Sequence, residues 1–145
     1  MRWPYSAMTL AACGLILIAM GLYFVLVRPA LLPEDIRFLE SSLTGIRVAL
    51  PKLELWLARI FSVMGGQMFA AGLLTSYLAA TAFRTRTRGA ALIVGLTGLS
   101  SIGLMAIVNF AIASDFRWLI LSLLFPWSAA LGLYWREGFA QQHRL

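Results

Sequence analysis

The chain has 145 residues, of which 61% are hydrophobic and only 12% charged, and its net charge is +6. Soluble domains carry about 25% charged residues, so this composition excludes an ordinary soluble protein and implies that lipid covers much of the apolar surface. The basic residues are scattered and form no basic stripe with interleaved aromatic residues, which argues against nucleic-acid binding.

Four long apolar stretches fill most of the chain, and none has a charged residue in its interior. A helix needs ~20 residues to cross a hydrocarbon core about 30 Å thick. We therefore predict an all-α fold, a polytopic membrane four-helix bundle that forms one domain over residues 1–145. The predicted spans are residues 5–27, 60–83, 89–113 and 118–135.

The first span contains a Leu-Ala-Ala-Cys sequence that ends at Cys13 and resembles the cleavage site of a lipoprotein. A mature lipoprotein continues into polar chain after its cysteine, whereas this apolar run continues to Val27. We therefore expect an uncleaved first helix in which the Cys13 thiol is buried and unreactive.

The longest segment between spans, residues 28–59, predicts an amphipathic interfacial helix over residues 33–50. Pro33 suits a first helical turn, and two acidic residues follow it near the positive end of the helix dipole. Apolar residues then recur at spacings of three and four: Ile36, Leu39, Leu43, Ile46 and Leu50. We expect this helix to lie on the membrane or to cap the bundle, and a partner-binding or lid helix is the alternative.

Small residues predict how the second and third spans pack. The second span contains Gly65, Gly66 and Gly72, and the third contains Gly95 with several other small residues. Small residues let membrane helices approach closely. We expect them to form a seam between these two spans; a hinge or a pocket for a lipid-like molecule is the alternative.

Two amides and one proline are the notable groups inside the spans. Gln67 and Asn109 lie at similar depths in the second and third spans, so an amide–amide hydrogen bond between them is feasible. Its expected role is structural, and contact with a ligand is the alternative. Pro126 lies near the middle of the fourth span and predicts a kink, because proline removes a backbone donor.

The distribution of arginine indicates the orientation of the chain. The short loop between the second and third spans carries Arg84, Arg86 and Arg88, and the side of the termini adds Arg2, Arg136 and Arg144. The other side has as many basic residues, but they alternate with acidic ones. The compact arginine loop favours cytoplasmic termini in a bacterial inner membrane, with its three arginines in contact with anionic lipid.

Catalytic chemistry finds little support in this sequence. No Asp, Glu, His or Lys lies in the middle of a span, which argues against a proton relay or a coupling site. The single Cys excludes an intramolecular disulfide and a cysteine-based metal cluster, and the single His, His143, lies in the tail. We therefore expect no enzyme activity, metal site or cofactor.

Several short segments resemble those of uncharacterised small bacterial membrane proteins. They are Arg-Pro-Ala-Leu-Leu-Pro-Glu-Asp at 28–35, Met-Gly-Gly at 64–66, Val-Asn-Phe at 108–110 and Ser-Asp-Phe-Arg-Trp at 114–118. The layout of four helices with a glycine pair in the second is also similar to the DoxX-like group. The resemblance implies no activity, because no motif here matches the redox roles suggested for DoxX-like proteins.

The sequence favours a non-catalytic accessory or scaffold subunit that lies in the bilayer and packs against another membrane protein or a second copy of itself. The alternative is a carrier or pore for a small apolar or lipid-like molecule. Such a carrier would use a pocket near Gly65, Gly66, Gln67, Asn109 and Pro126.

Overall fold

A computed structural model describes residues 3–142, and these residues contain helices and turns but no strand. Arg2, His143 and Arg144 lie outside the described residues. The helices are α1 (Tyr5–Leu26), α2 (Pro33–Phe38), α3 (Leu43–Ala49), α4 (Leu53–Leu78), α5 (Ala90–Gly98), α6 (Leu104–Ala111), α7 (Arg117–Ser122) and α8 (Leu124–Gln142). A π-helical turn at Ala79–Phe83 extends α4, and another at Leu99–Gly103 joins α5 to α6.

Four helical stretches are long and apolar enough to span a membrane, which indicates a multi-pass membrane protein. They cover Tyr5–Leu26, Leu53–Phe83, Ala90–Ala111 and Arg117–Ala140, in agreement with the four predicted spans. The second begins seven residues earlier than predicted and has 31 residues. At 1.5 Å per residue it is about 46 Å long, more than a hydrocarbon core of about 30 Å requires.

The prediction of one amphipathic helix over residues 33–50 is wrong, because the chain forms two short helices there. α2 begins at Pro33 as expected, and the Asp35 carboxylate accepts a hydrogen bond from the Leu32 N–H at 2.8 Å. The helix ends at Phe38, and Glu40 has a left-handed φ of 48°. Ser42 then caps α3, since its hydroxyl accepts a hydrogen bond from the Gly45 N–H at 3.0 Å.

α1 packs between α4 and α8. It packs against α4 along most of its length and also against α8, while α5 contacts α8 and α6 contacts α7. α4 therefore has α1 as its main neighbour and makes no extensive contact with α5 or α6. The buried core lies around α1 and includes Leu10, Leu17, Phe83, Ile102 and Trp127.

Gly98 and Trp127 fix α5 against α8. The Trp127 indole is buried, and its Nε1–H donates a hydrogen bond to the Val94 carbonyl at 2.9 Å. A Cβ at Gly98 would overlap the indole ring. The absence of a side chain at this position therefore makes room for the largest side chain of the core.

Candidate functional site

The glycines of α4 pack against α1, so the predicted seam between the second and third spans is wrong. A Cβ added at Gly65 would lie 2.7 Å from the Gly21 carbonyl oxygen, and one at Gly72 would lie 2.7 Å from that of Gly14. Conversely, a Cβ added at Gly21 would lie 2.6 Å from the Gly65 carbonyl oxygen, and one at Gly14 would lie 2.9 Å from that of Gly72. The seam forms with α1 because α1 carries glycines at the same seven-residue spacing.

One further step of seven residues along each helix leads to Ala7 and Ala79, both fully buried. Small residues thus recur every seven positions on both helices, and the two helices run antiparallel. A seven-residue repeat is typical of left-handed packing at a small crossing angle. The α1–α4 contact is therefore a continuous, closely packed interface.

Gly66 and Gly95 do not contribute to a close seam. A Cβ at Gly66 would meet nothing within 4 Å, and one at Gly95 would meet only Leu131 Cδ1, at 4.0 Å. Of the four glycines that the sequence assigned to one seam, two lie against α1, one faces outward and one lies loosely against α8.

The structure does not bring Gln67 and Asn109 together. The Asn109 Nδ2 donates to the Met105 carbonyl of its own helix at 2.8 Å. Gln67 lies on the exposed surface of α4, and its side chain makes no hydrogen bond within the described part of the chain. Because Gln67 is near the midpoint of a 31-residue candidate span, its amide needs a partner once lipid surrounds it.

Pro126 is the third residue of α8, and the fourth span is interrupted at Leu123, between α7 and α8. The interruption lies three residues before Pro126, and a kink at the proline itself stays a prediction. The first N–H groups of a helix lack partners within that helix, so a proline in the first turn removes no helical hydrogen bond. The carrier pocket would require this proline beside Gln67, yet α4 makes no extensive contact with α8.

The three arginines of the loop after α4 have different surroundings. Arg86, with a left-handed φ of 57°, donates to the Tyr134 carbonyl at 2.6 Å and to Glu137 at 3.2 Å. Its guanidinium also lies over the Tyr134 ring, 4.5 Å from the centroid. Arg86 is therefore engaged by protein groups, and its contact with anionic lipid stays a prediction. Arg84 lies over the Trp3 ring, and Arg88 is exposed.

Glu137 joins the start of α1 to this arginine. Its carboxylate accepts hydrogen bonds from the Ser6 hydroxyl at 2.6 Å and from the Ser6 N–H at 3.2 Å. Pro4, at the N-cap of α1, has no hydroxyl or carboxylate to cap the helix. Glu137 of α8 supplies that acceptor instead, and this contact holds α1, α8 and the arginine loop together.

At the opposite end, Glu34 of α2 binds the turn between α6 and α7. Glu34 is 6% exposed and Ser114 is fully buried. The Glu34 carboxylate accepts hydrogen bonds from the Ser114 hydroxyl at 2.8 Å and from the Asp115 N–H at 3.1 Å. Arg37, one turn later, forms an ion pair with Asp115 at 2.9 Å. α2 is thus held to the turn between α6 and α7, and sequence reasoning missed the role of Glu34.

Arg28 fixes the chain where α1 ends. Its guanidinium lies 3.6 Å from the centroid of the Phe61 ring on α4, and it forms an ion pair with Asp35 at 3.6 Å. The segment between α1 and α2 is therefore tied to both α4 and α2.

One face of α4 has no neighbour. Exposed small residues recur every four positions on this face, and we call them the small-residue row: Ala58, Ser62, Gly66 and Ala70. The Ser62 hydroxyl is satisfied by the Ala58 carbonyl of its own helix at 2.9 Å. Gln67, adjacent to the row, is the polar side chain that has no partner there. This face is the candidate functional site.

Within residues 3–142, no group of three or more His, Cys, Asp or Glu side chains is placed to hold a metal ion. The conspicuous polar contacts, at Glu34 and Glu137, join helices at the two ends of the bundle. Their carboxylates accept hydrogen bonds from neighbouring protein groups, as structural acceptors do.

Comparison of the chain with models of protein families, with curated proteins and with solved structures gives no significant match. The resemblance to small bacterial membrane proteins stays a prediction, and the function must be argued from the geometry.

Proposed function

We propose that this protein is a non-catalytic scaffold subunit of a membrane assembly, and that it associates through the exposed face of α4. The observation that carries the proposal is the small-residue row beside the unpartnered amide of Gln67. The proposed partner that binds this face is a second copy of the chain.

The row has the geometry of a helix–helix contact in a membrane. Small residues spaced by four let two backbones approach closely, with a right-handed crossing near −40°. The α1–α4 interface uses the seven-residue spacing instead. The two faces of α4 are therefore suited to two different neighbours, and only one of those neighbours is supplied by the described chain.

A second copy suits the face because close approach needs small residues on both helices. Two copies that cross near Gly66 would place one small-residue row against another. The Gln67 amide both donates and accepts, so each Gln67 has a complementary partner in the other copy. Hydrogen bonds of this kind contribute roughly 0.6 to 2 kcal/mol to the association of membrane helices.

The proposed setting is the inner membrane of a bacterium, with the four helices as a bundle and both termini in the cytoplasm. The arginine loop supports this orientation, because short cytoplasmic loops are enriched in Lys and Arg. The α2–α3 segment would then lie at the periplasmic surface, where α2 caps the bundle. Labelling of single cysteines from either side of the membrane tests this orientation: Thr87→Cys should react only from the cytoplasm.

The proposal is tested by native mass spectrometry of the protein extracted in its own lipid, without exchange into detergent. The expected species is a dimer, and the double substitution Gly66→Leu with Gln67→Leu should convert it to a monomer. The matched control is Leu104→Ala on α6, whose exposed side chain lies away from the row. The control should remain dimeric.

One result would count against the scaffold function, and another would count only against the second copy as the occupant of this face. A wild-type monomer that holds one small molecule would favour the carrier function instead. A different polypeptide at fixed stoichiometry, lost in the double variant, would keep the scaffold function and replace the second copy as the occupant.

A further inference from the structure

We propose that the groove at the junction of α3 and α4 binds an anionic phospholipid, with an acyl chain on its apolar floor and the phosphate at Lys52. The groove is open and is lined by Ala49, Leu50, Pro51, Lys52, Leu53 and Trp56. The proposal rests on insertion of α4 in a membrane and does not depend on association through the small-residue row.

The lining of the groove is almost wholly apolar and faces outward. Leu50 and Trp56 are 57% and 60% exposed, and no other part of the described chain covers them. The groove lies at the beginning of the second candidate span, which starts at Leu53. Exposed apolar surface at that level is in contact with lipid, and tryptophan is enriched at this boundary.

The charges around the groove are complementary to an anionic headgroup. Lys52 is the one charged residue of the lining, and it forms no ion pair among the described residues. The nearest acid, Glu54, is engaged by Arg47 through hydrogen bonds of 2.8 and 3.4 Å, which raise the pKa of Arg47. Arg59, two turns along α4, is exposed and adds a second positive charge.

These features favour a phospholipid over a free anion or an uncharged lipid. A free phosphate would use only Lys52 and leave the apolar floor bare. A zwitterionic lipid, which has no net charge, would gain little binding free energy from the unpaired ammonium group of Lys52. A cationic side chain near an anionic membrane surface favours binding about fivefold, and Lys is a common partner of phosphate.

The test uses the full-length protein in vesicles in which either phosphatidylglycerol or phosphatidylcholine carries brominated acyl chains, at equal mole fraction. Bromine quenches nearby indoles, and the Trp56 signal is the difference between the protein and its Trp56→Phe variant. Brominated phosphatidylglycerol should quench Trp56 more strongly than brominated phosphatidylcholine. Lys52→Gln should reduce this preference about fivefold, while Arg136→Gln, exposed on α8 near the opposite end of the helices, should leave it unchanged.

Quenching by phosphatidylcholine shows whether Trp56 of the Lys52→Gln variant still faces lipid, and a circular dichroism spectrum like that of the wild type shows that the variant has folded. Equal quenching of wild-type Trp56 by the two lipids would overturn the proposal. Absence of quenching by both would overturn it as well, since the groove would then be covered by protein. Neither result depends on whether the protein is a dimer.

Discussion

Gly65 on α4 and Gly21 on α1 face each other so closely that each carbonyl oxygen occupies the space of a side chain on the other residue. A Cβ added at Gly65 would lie 2.7 Å from the Gly21 carbonyl oxygen, and one added at Gly21 would lie 2.6 Å from the Gly65 carbonyl oxygen. Both contacts are to backbone, which cannot move aside as the end of a flexible side chain can. The α1–α4 interface therefore depends on glycine at these positions.

A side chain at Gly65 should destabilise the bundle, whereas one at Gly66 should not. We expect Gly65→Ala to lower the free energy of unfolding by about 1–3 kcal/mol, the usual range for overpacking a close contact. Gly66→Ala, where an added Cβ meets nothing within 4 Å, should be neutral or slightly stabilising because alanine favours the helix. The free energy of unfolding of both variants can be measured in mixed micelles by titration with a denaturing detergent. Equal losses of stability in the two variants would contradict the placement of Gly65 against α1 and of Gly66 on the outer face.

Removal of the Glu137 carboxylate should loosen the end of the bundle that carries the termini. In Glu137→Gln, Arg86 loses its ion pair and Ser6 keeps at best one acceptor, so we expect a loss of about 1–2 kcal/mol for a partly exposed pair. Hydrogen exchange of the first turn of α1 should accelerate. Glu40→Gln, at an exposed turn, is the control, and unchanged exchange near Ser6 in Glu137→Gln would show that Glu137 does not cap α1.

The Ser114 hydroxyl should matter more than the hydroxyl of an exposed serine. Ser114→Ala leaves the buried Glu34 carboxylate with fewer donors, and we expect a loss of about 1–3 kcal/mol. The same truncation at exposed Ser122, whose hydroxyl bonds to its own helix, should change stability little. Limited proteolysis between α2 and α3 should become faster only in Ser114→Ala. Identical digestion of the two variants would indicate that Glu34 does not hold α2 to the bundle.

Gly98 should be intolerant of a side chain because the Trp127 indole fills its place. Gly98→Ala should displace the ring and weaken its 2.9 Å hydrogen bond to the Val94 carbonyl, with a loss of about 1–3 kcal/mol. Gly95→Ala, one turn earlier and in open surroundings, is the matched control. Near-ultraviolet circular dichroism should change in Gly98→Ala alone, and a wild-type spectrum would contradict the contact.

The sequence predicted the four spans well because their signal is local. Hydrophobic length alone identifies a helix that can cross a membrane, and the observed stretches overlap the predicted ones. The break after Phe38 was missed because the apolar periodicity continues through it. The chain divides there because Ser42 caps a new helix, and a serine at this position is a sequence signal for a helix start.

The partners of the helices could not be predicted in the same way. Small residues in the second and third spans suggested a seam, but a small residue does not indicate which helix it faces. The seven-residue spacing shared by Gly14 and Gly21 with Gly65 and Gly72 was the signal that could have identified α1 as the neighbour. Glu137 binds Ser6, 131 positions away, and Glu34 binds Ser114, 80 positions away. Local sequence patterns cannot predict contacts at these separations.

The most direct test of the account is disulfide cross-linking in native membranes at Ala70, the last position of the small-residue row. The only cysteine, Cys13, is buried and can be replaced by alanine to give a cysteine-free background. Ala70→Cys in that background should form a dimer on oxidation, because paired cysteines need Cβ atoms about 4 Å apart. Leu15→Cys, exposed on α1, should stay monomeric. A monomer at Ala70→Cys, or equal cross-linking at both positions, would contradict association through this face of α4.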